Sequence, residues 1–401
     1  MLQGNRLLVV NPNVRKIAQS SLNDQIMLSG FEGDEQVYVS TSTIRLIERF
    51  AIATCLDNLL ADVVNAGHKQ VLIETVEGLF SRGILVDAIQ ASSSSRLSRG
   101  VFGSPLISLE NLSEFPFDVV VLGVPSDSGA TYRKGSQFGP NEVRKYSSVF
   151  LNCGPTGVIP DIHDPRGEIS LSGMRIGDLG DLLLPFPEGT HEAKFGQIAE
   201  AVSRIFKSGA IPVMLGGDHS ITLGAVNGLS QECQRKLGII HIDAHYDYHD
   251  ARFDSLENVH HGNFLGWIVS NQRVAQVVQI GQRQITPTAP KPHPKVKNFS
   301  SSSIFDYGIE HLVEELSDDL FWYITIDVDV LDPSVMPATG TVLPGGWGFN
   351  ELVMVVTSIA RSLRVIGFDI VEFSPNGGEV EPLIISELLL RAINSTLENN
   401  A

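Results

Sequence analysis

The segment Leu237-Gly238-Ile239-Ile240-His241-Ile242-Asp243-Ala244-His245-Tyr246-Asp247 decides how the rest of the chain is read. Its first six residues form a mostly apolar run, the mark of a strand buried on both faces of a parallel sheet. The last five place Asp243, His245 and Asp247 at alternate positions. In an extended segment alternate residues project to one side, so three potential metal ligands would converge on one point. Unpaired charge at the end of a buried strand is costly, so such a triplet is rarely a solvated face. Metal binding is the expected reading.

Similar apolar runs recur on either side, at Val119–Val124, Ile211–Leu215, Val277–Ile280, Trp322–Ile326 and Val365–Phe368. Helical stretches lie between several of them, among them Ala193–Ser208 and Glu351–Leu363. Apolar strands alternating with helices predict an α/β fold with a mostly parallel sheet covered on both faces. Functional residues of such sheets collect just past the carboxyl ends of the strands. Two more polar clusters sit at such ends. Gly216-Gly217-Asp218-His219-Ser220 follows one strand, its glycines allowing a sharp turn and close approach to a ligand. A lone histidine in a loop is usually structural, so His219 gains meaning only beside the other clusters. Thr325-Ile326-Asp327-Val328-Asp329-Val330-Leu331-Asp332-Pro333 ends another strand. There Asp327 and Asp329 are expected to project together, and two like charges so close need a cation or a shared proton. A capping role suits Asp332 better.

The clusters together offer His219, His245, Asp243, Asp247, Asp327 and Asp329. Mixed carboxylate and imidazole ligands suit Mn²⁺, with Ni²⁺ and Co²⁺ as alternatives. No cysteine lies in a CxxC pair, which argues against thiolate zinc. Six ligands exceed the needs of one open catalytic ion, and bridging carboxylates would hold two divalent ions about 3.5–4 Å apart. Such a pair lowers the pKa of a bound water and stabilises charge around an attacked carbon.

Composition narrows the function further. The 401 residues carry 29 Lys and Arg against 46 Asp and Glu, a formal net charge of −17, so nucleic acid is not an expected partner. Cys55, Cys153 and Cys233 are too few and too scattered for a disulfide framework, which points to a reducing compartment. No run approaches the roughly 20 apolar residues of a membrane span, so no membrane partner is expected. Met1 to Val10 has no signal-peptide pattern, and the cytoplasm is the expected location.

The serine-rich stretch Ala91-Ser92-Ser93-Ser94-Ser95-Arg96-Leu97-Ser98-Arg99-Gly100 reads as a linker, assigned to residues 91–112. Before it, residues 1–90 form an expected α+β extension. Short strands are read at Arg6–Val10 and Gln36–Val39, a helix over Ile44–Val64 stopped by Gly67, and a second helix around Leu72, Val76, Leu79 and Phe80 ended by Gly83. The pattern resembles a small winged-helix module; the alternative is an extension that packs on the core or at a subunit interface. Residues 113–401 form the expected catalytic domain.

The motifs GGDHS, DAHYD and TIDVDVLDP resemble the three metal motifs of the ureohydrolase family, which comprises arginase, agmatinase and formiminoglutamase. Gly123-Val124-Pro125-Ser126-Asp127-Ser128-Gly129, with Arg133, Gly135, Gly139-Pro140 and Arg144, resembles the opening of agmatinase-type members. Ile280-Gly281-Gln282-Arg283, Pro337-Ala338-Thr339-Gly340-Thr341 with Pro344-Gly345-Gly346, and Asp369-Ile370-Val371-Glu372 are similar to further family segments. The motifs occur in family order over roughly residues 116–396.

The resemblance implies a three-layer α/β/α sandwich and hydrolysis of a linear amidine, a guanidino compound and water giving an amine and urea. By the same resemblance His219, Asp243, Asp247 and Asp327 bind one ion. Asp243, His245, Asp327 and Asp329 bind the other. Glu372 holds the guanidinium, where the plainer reading is a carboxylate at a helix start. His261 shuttles protons to the leaving amine, a role its neighbour His260 shares as a candidate. His249 and Trp347 are expected near the substrate, Trp347 either narrowing the pocket or simply packing. A homo-oligomer, trimer or hexamer, is implied as well.

Arginases carry Asn where His249 stands and S-G-N before the H-G pair, where this chain reads Ser255-Leu256-Glu257-Asn258-Val259-His260-His261. Those groups read the amino-acid end of arginine, so a small guanidino compound such as agmatine is the expected substrate. Two alternatives remain: action on arginine within a peptide gripped by the N-terminal module, and a binding or regulatory protein on an inactive core. All six ligands being present counts against the last.

Overall fold

The computed structural model describes residues 7–10, 15–20, 25–29, 37–50, 54–61, 63–87, 100–113, 115–152, 158–161, 167–170, 173–182, 184, 191–248, 255–286, 292–300, 304, 306 and 308–400. In the first part of the chain, β1 (Leu7–Val10) pairs antiparallel with β5 (Thr54–Cys55) and β6 (Leu85–Asp87). A second antiparallel sheet joins β2 (Arg15–Ser20), β3 (Gln25–Ser29) and β4 (Val37–Ser40). Helices α1 (Thr41–Glu48), α2 (Leu56–Ala61) and α3 (Ala66–Ser81) complete this part. Leu8, Leu28, Ile44, Phe50, Leu79 and Leu85 are buried in one hydrophobic cluster made within this part of the chain.

The helix expected over Ile44–Val64 is therefore two helices with β5 between them. Apolar residues keep helical spacing across the break because both helices turn apolar side chains into the same cluster. Gly67 does not stop a helix. It lies in the first turn of α3, which the Asn65 side chain caps by accepting from Gly67 N at 2.8 Å and His68 N at 3.2 Å. The stop falls after α3, where Gly83 takes φ +69°, a conformation glycine adopts without penalty.

Residues 91–99 of the expected linker lie outside the described residues. The remainder, 100–112, is built into the main core rather than linking to it. Val101 and Phe102 lie in one core cluster, Leu109 and Leu112 in the other. Ile107 N donates to the Asp178 carbonyl at 2.8 Å, and Asp178 N to the Pro105 carbonyl at 3.0 Å. The apolar residues of this stretch outweigh its serines once a sheet edge is available to bury them.

The larger sheet has eight parallel strands in the order β10-β7-β11-β16-β15-β12-β13-β14. These are β7 (Val119–Val124), β10 (Ile176–Asp181), β11 (Ile211–Gly216), β12 (Leu237–Ile242), β13 (Val274–Ile280), β14 (Val296–Phe299), β15 (Phe321–Asp327) and β16 (Val365–Val371). A two-stranded hairpin, β8 (Val158–Pro160) and β9 (Glu168–Ser170), stands apart. Alternate residues feed two opposite cores: Val119 and Val121 go to one, Val120 and Leu122 to the other. The first core takes residues of α4 (Gly139–Ser147), α8 (Ile309–Glu314), α9 (Phe349–Ser362) and α10 (Val380–Asn400). The second takes residues of α5 (His191–Lys207), α6 (Thr222–Glu232) and α7 (Phe264–Ser270). Helices thus cover both faces, giving the expected three-layer sandwich. Among the described residues no helix is long and apolar enough to cross a membrane.

Candidate active site

The carboxyl ends of β11, β12, β15 and β16, central in the sheet, carry the polar clusters. After β11, Gly217 passes against the loop that follows β7; a Cβ there would stand 2.1 Å from the Ser126 carbonyl oxygen, so only glycine fits. The turn delivers His219 into the interior. Its Nδ1 lies 3.1 Å from Asp243 Oδ2, 3.3 Å from Asp247 Oδ2 and 3.2 Å from Asp327 Oδ2. His245 Nδ1 lies 3.3 Å from Asp243 Oδ1 and 3.0 Å from Asp329 Oδ2. The two oxygens of Asp243 thus face different histidines, the arrangement of a bridging carboxylate. All six candidate ligands read from the sequence come together.

The means of convergence differ from simple alternation along a strand. β12 stops at Ile242, and Asp247 has φ +45°, so a turn swings it back onto His219. Asp329 sits in a single 3₁₀ turn, Val328–Val330, capped by Asp327, whose Oδ1 accepts from Asp329 N at 2.8 Å. Arg283 clamps that turn: its guanidinium donates to the carbonyls of Asp329 at 2.7 Å, Val330 at 3.1 Å and Leu343 at 2.8 Å.

Burial pushes the Asp327 carboxyl well up, and the neighbouring Asp329 and Asp243 push it further. Burial opposes charge on His245, yet Asp329 and Asp243 raise its pKa to about 12. Four carboxylates this close exceed what two imidazoles neutralise, and oxygen- and nitrogen-favouring divalent cations fit the deficit. Among the described residues His219 Nδ1 and Asp243 Oδ2, both buried, find no hydrogen-bond partner, as ligand atoms aimed at an ion would not.

A shell of neighbours fixes these groups. His219 Nε2 lies 2.8 Å from Thr325 Oγ1, and Thr325 donates to Asp369 Oδ1 at 2.5 Å. Tyr323 and Thr222 donate to the other Asp369 oxygen at 2.8 and 2.9 Å. Asp369 of the D-x-V-E segment therefore orients the imidazole of His219 from behind. His241, passed over in the sequence reading, stacks on His219 with ring centroids 5.0 Å apart, and its Nε2 lies 3.1 Å from Asp243 Oδ2. Gln279 Nε2 faces both the Tyr246 carbonyl at 2.6 Å and His241 Nδ1 at 3.2 Å. Among the described residues His241 Nε2, like Asp243 Oδ2, makes no hydrogen bond, and His241 forms with His219, Asp243 and Asp247 a group that could hold a metal ion. The visible signal was its position two residues before Asp243 on a buried strand.

Glu372 follows β16 with φ +66°, a strained conformation for a residue with a side chain. It is not at a helix start, since α10 begins at Val380. Its N–H donates to the Gly217 carbonyl at 2.9 Å. Its Oε1 accepts from His219 N at 2.8 Å and lies 3.1 Å from His261 Nδ1. Burial alone would depress His261, but Glu372 outweighs it and raises the imidazole to about 9. Burial likewise raises Glu372, so the pair binds a proton tightly.

The structure separates the two adjacent histidines. His261 points at Glu372, while His260 Nδ1 accepts from its own Gly262 N at 3.1 Å. Trp347 is 2% exposed within the core, its N donating to the Val330 carbonyl at 3.0 Å, so it packs under the Asp329 turn instead of lining a pocket. Its ring fills space beside Gly281. His249 lies outside the described residues. A residue missed in the sequence is Thr131, whose N and Oγ1 lie 3.1 and 2.7 Å from His261 Nε2; no pattern in the sequence ties it to His261 across 130 positions.

The profile of the Arginase family matches residues 117–391. Proclavaminate amidinohydrolase of Streptomyces clavuligerus is 29% identical over 287 residues, 68% of this chain and 86% of that one. Guanidinobutyrase of Pseudomonas aeruginosa is 28% identical over 267 residues, 64% of this chain and 79% of that one. The crystal structure of the agmatine ureohydrolase of Thermoplasma volcanium, 26% identical, superposes with a TM-score of 0.58 over 78% of this chain and 98% of its own. The match runs through every strand and loop that builds the His and Asp cluster, and on it the chain belongs to the arginase family, hydrolases of guanidino C–N bonds.

Proposed function

We propose that this chain cleaves a small guanidino compound to an amine, or ammonia, and urea, with two divalent ions, Mn²⁺ first among them, held by His219, Asp243, His245, Asp247, Asp327 and Asp329. The observation that carries the reading is the place of Glu372: a buried carboxylate beside His219 and in contact with His261. A guanidinium is a planar cation with several N–H donors, and a carboxylate takes it through charge-assisted hydrogen bonds. When bound, the ion pair supplies a water nucleophile at neutral pH. Glu372 sets the guanidinium carbon against that centre. His261, on the same carboxylate, gives a proton to the departing nitrogen, without which an amine is a poor leaving group. His219 is kept in register by Thr325 and, through it, by Asp369 behind.

The test is urea release across agmatine, guanidino acids, guanidine, L-arginine and an arginine-containing peptide, with Mn²⁺, Ni²⁺ and Co²⁺ supplied separately. A small guanidino compound should lead. Free L-arginine, lacking the partners that arginases provide for its amino-acid end, is expected at least tenfold lower in kcat/KM, a gap of about 1.4 kcal/mol. Arginine within a peptide is the second reading. It draws support from the separate hydrophobic cluster of the first 87 residues, which would let that part act as a binding module. The peptide leading the panel would favour it.

A further inference from the structure

We propose that the Thr131 hydroxyl positions His261 and links it to solvent as the outer step of its proton path. The proposal rests on the reading of His261 as the proton carrier.

The imidazole of His261 is held at both nitrogens. Nδ1 faces buried Glu372, and Nε2 faces Thr131 through both its backbone N at 3.1 Å and its Oγ1 at 2.7 Å. An amide N–H only donates, so in the neutral ring Nε2 presents the lone pair and the hydrogen lies on Nδ1, between His261 and Glu372. The loop that carries Thr131 is itself fixed. His261 N donates to the Gly129 carbonyl at 3.0 Å, and Gly129 N donates to Asp218 Oδ2 at 3.0 Å. Lys194 Nζ, on α5, donates to Ser128 Oγ at 3.0 Å and Ser220 Oγ at 3.2 Å, securing the same loop from below.

Exposure gives the direction of the path. Glu372 is 1% exposed and His261 9% exposed, whereas Thr131 is exposed. When His261 gives its Nδ1 hydrogen to a departing amine, the proton that refills the ring enters at the other nitrogen, Nε2, whose partner is exposed. The hydroxyl serves as both donor and acceptor: its O–H proton passes to Nε2 while its oxygen takes one from a solvent water. One proton moves inward, hydroxide is left to solvent, and Thr131 is unchanged. The backbone N–H beside it supplies placement but no such transfer.

Thr131→Val keeps the shape and the backbone donor and removes only the hydroxyl; Thr131→Ser keeps the hydroxyl. The holoenzymes are compared on whichever guanidino compound the unaltered protein turns over, with metal content and far-UV dichroism confirming an intact fold. Thr131→Val is expected to lower kcat at least tenfold with KM within twofold, to alter the pH profile of kcat, and to recover with added imidazole. Thr131→Ser should stay within threefold of the unaltered protein. If Thr131→Val does not fold, Thr131→Ala takes its place. An unchanged kcat in Thr131→Val, or a fall that neither serine nor imidazole restores, overturns the proposal while leaving the reading of the site intact. No turnover by the unaltered protein on any guanidino compound overturns both.

Discussion

His261 Nδ1 stands 3.1 Å from Glu372 Oε1, which ties the proposed proton carrier to the proposed holder of the guanidinium. Replacing Glu372 with Gln keeps the shape and removes the charge. The substitution Glu372→Gln is expected to lower kcat/KM at least a hundredfold, about 2.7 kcal/mol, mostly by losing the charge-assisted grip on the guanidinium. Metal content should not change. Activity within tenfold of the unaltered protein would remove Glu372 from that role.

The same pair predicts a pH dependence of stability in the metal-free protein. The folded pKa of His261, about 9, exceeds its ordinary 6.5. A raised pKa contributes stability that is complete below about 6.5 and lost as pH rises through about 9. Between pH 6 and pH 10 the unaltered protein should therefore lose up to about 3 kcal/mol more than His261→Asn. Urea denaturation of both at each pH measures it, and parallel curves would refute the coupling.

The split of Asp243 oxygens between His219 and His245 predicts about two ions per chain. His245→Ala or Asp329→Ala should retain about one ion and lose nearly all activity. Elemental analysis after dialysis decides this: two ions and full activity in either variant would rule out the binuclear assignment.

Arg144 is 3% exposed and pairs with Asp178, itself fully buried, and with Asp181. Asp178 also accepts from Val101 N at 2.9 Å, so this ion pair joins α4, β10 and the 100–104 segment. Removing the counter-charge of a buried carboxylate typically costs about 3–5 kcal/mol. Arg144→Met should lower stability by that amount in urea denaturation, and a loss below about 1 kcal/mol would show the pair to be dispensable.

Two truncations separate linker from core. A chain starting at residue 100 should fold and bind its metals. One starting at residue 114 loses Val101, Phe102, Leu109 and Leu112 from the two cores. Each such side chain contributes about 1.5–3 kcal/mol on burial, so the shorter chain should be insoluble or strongly destabilised. Equal melting temperatures would return residues 100–113 to the linker.

Much of this was written in the sequence. Long apolar runs ending in Asp and His told of a parallel sheet with chemistry at its strand ends, because burial on both faces leaves little choice of residue type. The six candidate ligands were legible for the same reason: charge at such a place has few explanations. The edge strands β10 (Ile-Gly-Asp-Leu-Gly-Asp) and β14 (Val-Lys-Asn-Phe) were not, since an edge is less fully buried and its pattern is diluted by glycine and polar residues. Tertiary structure alone decided the rest. His260 and His261 are equivalent as letters, and only the Gly129 carbonyl and Glu372 turn one of them into the site. Asp247 and Asp329 reach their partners through a left-handed residue and a 3₁₀ turn, which no alternation predicts. Trp347 went inward because the core beside Gly281 had room for an indole, and Thr131 came to His261 through a contact 130 residues apart. Periodicity records what a residue's own element requires; which side chains then meet is fixed by packing between elements.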